Sequence, residues 1–273
     1  MSPEPPLPNL DQPSEPGPTV EAAPPPETGP LPELAAPESY PFWGYLDLFG
    51  FVLVALLGSL VVSLLMATLI PAAHVKQIYV LLPAQVLLYA FLLGTLALIF
   101  RRYYGRPFWY SLRWTPAGFS TPSTAACGAT VAIAVIVASV LLRTPDNDSP
   151  MKALLSDPAS VVIIGVMGTT LAPVCEEIVF RGFLQPLLVR SLGAAPGILL
   201  TAAAFGLMHL AEYGYSWRHA LLIAAAGAAF GWMRQRTGST KAAAIMHAAY
   251  NGVFFLMLAA QWGAAHGRWA GHS

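Results

Sequence analysis

Charged side chains are scarce in this chain: Asp, Glu, Lys and Arg make up 10% of its 273 residues, against 56% apolar types. An ordinary soluble domain carries about 25% charged residues. The scarcity excludes a water-facing globule, and a mean hydropathy of +0.58 points to lipid as the solvent. Cysteine is nearly missing as well. Cys127 and Cys175 are the only two, both inside apolar stretches, with neither metal-ligand spacing nor a disulfide pattern. Each is expected to pack. Alternation of apolar and polar residues is absent, and the apolar runs are too long for barrel strands, which excludes a β-barrel. No basic segment followed by an apolar stretch opens the sequence, so no signal peptide is expected.

What is present falls into contrasting parts. Residues 1–40 hold seven acids, thirteen prolines and no Lys or Arg. Such a segment cannot bury enough apolar surface to fold, and proline on this scale blocks helix and sheet. It is expected to be a disordered acidic tail, a solvated spacer rather than a docking element, whose partner is unknown. The net charge of zero conceals the rest of the chain, where fourteen Lys/Arg face seven Asp/Glu.

A helix needs about 20 apolar residues to cross a bilayer. Candidate spans lie near 46–70, 77–100, 123–143, 159–190, 195–211, 218–235 and 241–261. The expectation is an all-α, polytopic transmembrane helix bundle of about seven spans, with six to eight allowed. The fourth is long and interrupted by polar residues; it reads as one tilted helix or as a span plus a re-entrant piece. The organisation that follows is a tail (1–40), a transmembrane hairpin with a basic interfacial loop (41–120), a helical core (121–262) and a short C-terminal tail (263–273).

Basic residues in short loops set orientation. Arg101, Arg102, Arg106 and Arg113 follow the second span, and Arg234, Arg236 and Lys241 follow the sixth. The opposite loops hold only Lys76, Arg143, Lys152 and Arg218. The first group should be cytoplasmic, together with the N-terminus, and the Ala- and Arg-rich composition leans towards a prokaryotic cell membrane. Residues 103–117 mix aromatic and basic side chains as an interfacial anchor does. Gly227 and Gly231 form a small-xxx-small pair that lets helices approach closely.

Ionisable residues inside apolar spans are costly and suggest function. The fourth span contains Glu176, Glu177 and Arg181 within six residues. Adjacent helix positions differ by roughly 100°, so the two acids cannot easily share a role. Glu177 and Arg181 are i, i+4 in the favourable order and can neutralise each other. Glu176 is then free to face a cavity as a base for water. The fifth span carries Phe205 and His209, the seventh His247 and Asn251, each pair on one helix face. Depth gives a check. From Arg190 to Glu176 is about 21 Å along a helix, and from Ala194 to His209 about 22 Å. His247 lies only about 9 Å beyond Lys241, so the seventh span must begin deeper or tilt strongly. His74, His219, His266 and His272 fall at span ends or in the tail and read as interfacial or solvated.

The ordered motifs Glu-Glu-xxx-Arg, Phe-xxx-His and His-xxx-Asn resemble the CPBP family, also called Abi, whose members are similar to the type II CAAX prenyl endopeptidase. The resemblance covers roughly residues 120–262. It implies an intramembrane endopeptidase acting on membrane-anchored peptides or proteins, with the bilayer and no nucleic acid as partners. By analogy Glu176 and His209 activate water, His247 and Asn251 stabilise the oxyanion, and Glu177, Arg181 and Phe205 support the site. Members are often labelled metalloproteases, and Glu176, His209 and His247 could in principle ligate zinc. The HExxH pair of zinc proteases is absent, so a glutamate-based reaction without a cofactor is expected. No Gly-x-Ser-Gly or Gly-x-Gly-Asp occurs, which disfavours the serine and aspartyl types. Two other readings stay open: a proton-coupled transporter, disfavoured because no inverted halves are evident, and a non-catalytic scaffold or bacteriocin-immunity protein.

Overall fold

The computed structural model describes residues 40–73, 78–116, 118–145, 149–155 and 158–270. The acidic tail expected over 1–40 lies outside these residues except for Tyr40, as does His74. Among the described residues every regular element is a helix: α1 (Tyr45–Ala73), α2 (Ile78–Tyr103), α3 (Phe108–Ser111), α4 (Thr121–Leu141), α5 (Pro150–Leu154), α6 (Pro158–Thr169), α7 (Leu171–Glu177), a π-helical turn (Ile178–Leu184), α8 (Gln185–Leu192), α9 (Ala194–Met208), α10 (Trp217–Thr237) and α11 (Thr240–Ala270).

Among the described residues five stretches are long and apolar enough to cross a membrane: Tyr45–Thr68, Ile78–Tyr103, Thr121–Leu141, Ala159–Leu192 and Thr240–Gln261. The apolar α9 is shorter, at 15 residues. The 21-residue α10 is long enough, but Arg218, Arg234 and Arg236 dilute its apolar character. Leu46, Leu56, Val61 and Leu64 of α1 point outward, as lipid-facing side chains do. This is an integral membrane protein of helices. α11 continues through Ala270, past the end of the apolar stretch, because helix continuity needs good helix formers such as Ala264 and Ala265 rather than hydrophobicity.

The long fourth segment is broken, and its prolines explain where. A proline ring clashes with the carbonyl four residues earlier and offers no N–H to it. Pro173 aims this clash at Thr169, and Thr170 leaves helical geometry with φ −126° and ψ −83°. Thr169 and Thr170 also bond back to the carbonyls of Gly165 and Val166, at 2.7 and 2.6 Å, an arrangement that bends helices. Pro186 aims the same clash at Gly182, inside the π-helical turn.

Two apolar clusters clamp that turn. On one side Trp43, Phe51, Leu96, Phe100 and Leu112 close on Ile178 and Phe183, and the Trp43 indole donates to the Phe183 carbonyl at 3.1 Å. On the other, Phe180 joins Phe205, Phe230, Met246 and Tyr250. α4 meets α11 at Gly128, where an added Cβ would lie 2.1 Å from the Met246 carbonyl oxygen.

The loops sort to the two ends as the charge pattern groups them. At one end Arg234 donates to the Tyr40 hydroxyl at 3.0 Å, Arg190 to the Trp43 carbonyl at 3.1 Å, and Thr240 N–H to the Arg113 carbonyl at 3.0 Å. At the other, Arg218 donates to the Arg143 carbonyl at 2.9 Å and Met151 N–H to the Glu212 carbonyl at 3.2 Å. The start of α11 is packed inside the protein at the first of these ends. Ser239 and Thr240 are fully buried, with the Thr240 hydroxyl bonded to the Leu112 carbonyl at 2.6 Å and Ser239 bonded to that of Thr115.

Candidate active site

The break at Thr170 and the π-helical turn bracket Glu176 and Glu177, so the two acids sit where the helix is least regular. π-turns are frequent at functional sites. Glu177 is fully buried. One of its oxygens, Oε1, accepts from Arg181 Nη1 at 2.7 Å and from His247 Nδ1 at 2.9 Å. The expected i, i+4 pair therefore exists and carries a histidine besides. Arg181 is also fully buried and donates from Nη2 to the Gly227 carbonyl at 2.8 Å. Its guanidinium lies 4.5 Å from the centre of the Phe205 ring, close enough for a cation–π attraction. Four residues on, Gln185 donates to the Gly231 carbonyl at 2.9 Å. A Cβ on Gly227 would come within 3.0 Å of Arg181 Nη2. The small-xxx-small pair thus does more than pack helices: it opens two backbone acceptors to the site helix.

Glu176 is turned elsewhere. Its Oε1 accepts from the Tyr89 hydroxyl at 2.9 Å, and its Oε2 lies 3.9 Å from His247 Nε2. A water hydrogen-bonded to both atoms at about 2.8 Å fits that separation as the apex of a triangle. His209 ends α9, and its Nδ1 lies 2.8 Å from the Phe205 carbonyl oxygen. A carbonyl only accepts, so this nitrogen carries the proton and Nε2 keeps a lone pair. Phe205 is the shared wall: its ring centre is 4.7 Å from that of His209 and 5.6 Å from that of His247. Asn251 donates from Nδ2 to the Gly168 carbonyl at 2.7 Å, just before the helix break, which leaves one amide proton unspent.

Glu177 thus holds Arg181 and His247 directly, Glu176 lies 3.9 Å from His247, His209 shares the Phe205 wall, and Asn251 stands one turn beyond His247. Two further residues were missed from sequence. Tyr89 comes from α2, where its i, i+4 pairing with Gln85 inside an apolar span was the available signal. Glu212 follows His209 by three residues, on the turn after α9, with an accessible surface. Crowding by the chain around it desolvates its carboxyl and raises it above the ordinary value; the charge of Glu176 adds to this and His209 opposes it. Cys175 is buried beside the site and Cys127 exposed, both free thiols.

Among the described residues no three of His, Cys, Asp and Glu gather as ligands. The Nδ1 atoms of both histidines are engaged by Phe205 and Glu177, which leaves Nε2 as the atom each can turn to the site. A mostly apolar cleft of about 530 Å³ flanks the site, lined among others by Thr170, Val174, Ala244 and Ala248. It stops two residues short of Glu176 and one from His247.

A helical membrane protein with two carboxylates, two imidazoles and a guanidinium gathered between its helices is the class this fold and site define. Residues 158–253 match the family model described as type II CAAX prenyl endopeptidase Rce1-like. Over that stretch the chain is similar to the Rce1-like family, which the three motifs already resembled. No curated protein and no solved structure matches it. The family is in general terms one of CAAX-type proteases working in the membrane on membrane-associated peptides.

Proposed function

We propose that this chain is an intramembrane endopeptidase in which Glu176 activates water without a metal. The observation that carries the reading is the division of labour between neighbouring acids. Glu177 is consumed by Arg181 and His247, while Glu176 keeps an oxygen facing His247 Nε2 at 3.9 Å.

A water placed there donates one hydrogen bond to Glu176 and another to the Nε2 lone pair of His209. Glu176 takes its proton as the oxygen bonds to the scissile carbonyl carbon, and the carbonyl electrons move onto oxygen. His247 Nε2–H, which requires the imidazolium form, and the unspent Asn251 amide proton hold that oxyanion. Fixed donors in a site shielded from water are worth far more than in solution. Collapse re-forms the carbonyl, the C–N bond breaks, and the leaving nitrogen takes the proton from Glu176. One water is consumed, and an acid and an amine are released. The basic end of the bundle, with the N-terminus, faces the cytoplasm from a prokaryotic cell membrane.

Purified protein in lipid nanodiscs should cleave a membrane-anchored peptide, assayed with and without a prenyl group on the anchor. Glu176→Gln should lose at least about 100-fold in kcat, the usual worth of a positioned base. A Glu176→Gln protein that cleaves like its parent refutes the reading.

A further inference from the structure

The hydrogen bond from α2 to Glu176 comes from outside the family-matched stretch 158–253. We propose that Tyr89 is a positioning residue for Glu176, so that the N-terminal hairpin completes the active site rather than only anchoring it. The inference rests on Glu176 being the base, as proposed above.

The carboxylate can only accept, so the single hydroxyl proton of Tyr89 is committed to Glu176 Oε1 at 2.9 Å. That bond leaves Oε2 as the oxygen facing His247. Without it the carboxylate is free to rotate about its last torsion, a broad two-fold well with little intrinsic preference. Gln85, one turn earlier on the same face of α2, is within hydrogen-bonding reach of the Tyr89 phenol. The placement has a mechanical cause. Tyr89, Leu96 and Phe100 are spaced by seven and then four residues, which keeps them on one helix face. Leu96 and Phe100 are fully buried against Ile178 and Phe183 of the π-helical turn. Docking of that lower stripe aims the next two turns of α2 at residue 176. Trp43 reinforces the docking, bonded to the Phe183 carbonyl and stacked on its ring at 5.5 Å between centroids.

The test uses full-length protein in nanodiscs and the membrane-anchored peptide that the parent cleaves. Tyr89→Phe keeps the ring and removes only the donor. We expect kcat to fall about 10- to 100-fold, the range for a lost hydrogen bond to a charged group, with KM and the melting temperature unchanged. In a Glu176→Asp background, where the carboxylate is withdrawn from Tyr89, the same substitution should cost less than about twofold, the mark of coupled residues. A Tyr89→Phe enzyme at parental kcat overturns the proposal, and so does full additivity with Glu176→Asp. So does a loss of kcat that only tracks a lowered melting temperature. Glu176→Gln, run alongside, separates the two failures. If it is inactive while Tyr89→Phe is normal, only the positioning role falls; if it is active, the endopeptidase reading itself falls.

Discussion

His247 donates its Nδ1 proton to Glu177 at 2.9 Å, and this one contact ties the seventh span to the helix that bears the acids. Arg181 bonds to the same oxygen, so a buried acid serves two cations or donors from two elements. Removing one partner of a buried pair leaves an uncompensated charge, at a cost of about 3–5 kcal/mol. Arg181→Ala should therefore lower stability by about that much, read as a fall in melting temperature in detergent, with activity lost in parallel. Arg181→Lys should restore little, since an ammonium cannot present a planar fork to both Glu177 and the Gly227 carbonyl.

Gly128→Ala tests the α4–α11 contact. The added Cβ would sit 2.1 Å from the Met246 carbonyl oxygen, a backbone atom that cannot swing aside. α11 must shift, and His247 is the very next residue. Overpacking of this kind costs about 1–3 kcal/mol. The expected outcome is a lower melting temperature together with a reduced kcat, measured on the same preparation.

High pH should loosen the start of the hairpin. The Tyr104 hydroxyl donates to Asp47 at 2.6 Å. Burial, then that hydrogen bond and the Asp47 charge, push the Tyr104 phenol up from 10.0 to about 12. A raised value means that the folded state holds the proton more tightly. The contribution is whole below pH 10 and disappears as the pH rises through about 12. The melting temperature of the parent should thus exceed that of Tyr104→Phe at pH 8 to 9, and the gap should close towards pH 12.

The all-helical membrane fold and the pairings within single helices were legible because each rests on a local pattern. Long apolar runs specify spans by length, and Glu177 with Arg181 or Phe205 with His209 are i, i+4 neighbours whose pairing follows from helix geometry alone. What escaped depends on how elements meet. Tyr89 lies 87 positions from Glu176, and its pairing with Gln85 marks a polar spot in the span without naming the partner. The buried start of α11 needed Leu112 and Thr115 to be known as its partners. Pro173 and Pro186 were visible as helix breakers, yet only the packed structure shows a non-helical residue at one and a π-turn at the other. Gly227 was read as a packing residue; its carbonyl acquires a partner once Arg181 is placed.

Chelators give a direct reading on the metal question. With no three-ligand group among the described residues and Glu176 as the proposed base, EDTA or phenanthroline should leave kcat within about twofold of its starting value, well under the 10-fold that about 1.4 kcal/mol represents. Loss of cleavage that is restored by added zinc would reverse this expectation.

The tautomer of His209 is open to a sharper test. Its Nδ1 is tied to the Phe205 carbonyl at 2.8 Å, so the working atom is Nε2. The amide of glutamine reaches roughly where Nε2 sits, whereas the shorter asparagine amide lies near Nδ1. His209→Gln can therefore still offer an acceptor to the water held by Glu176, while His209→Asn can satisfy only Phe205. If Nε2 orients that water, His209→Gln should retain at least about tenfold more kcat than His209→Asn, a difference of about 1.4 kcal/mol in the barrier. Both variants should melt near the parent, because His209 lies at a helix end and is only partly buried. The reverse order of activities would mean that Nδ1 is the atom that matters, and that the Phe205 contact must open during turnover.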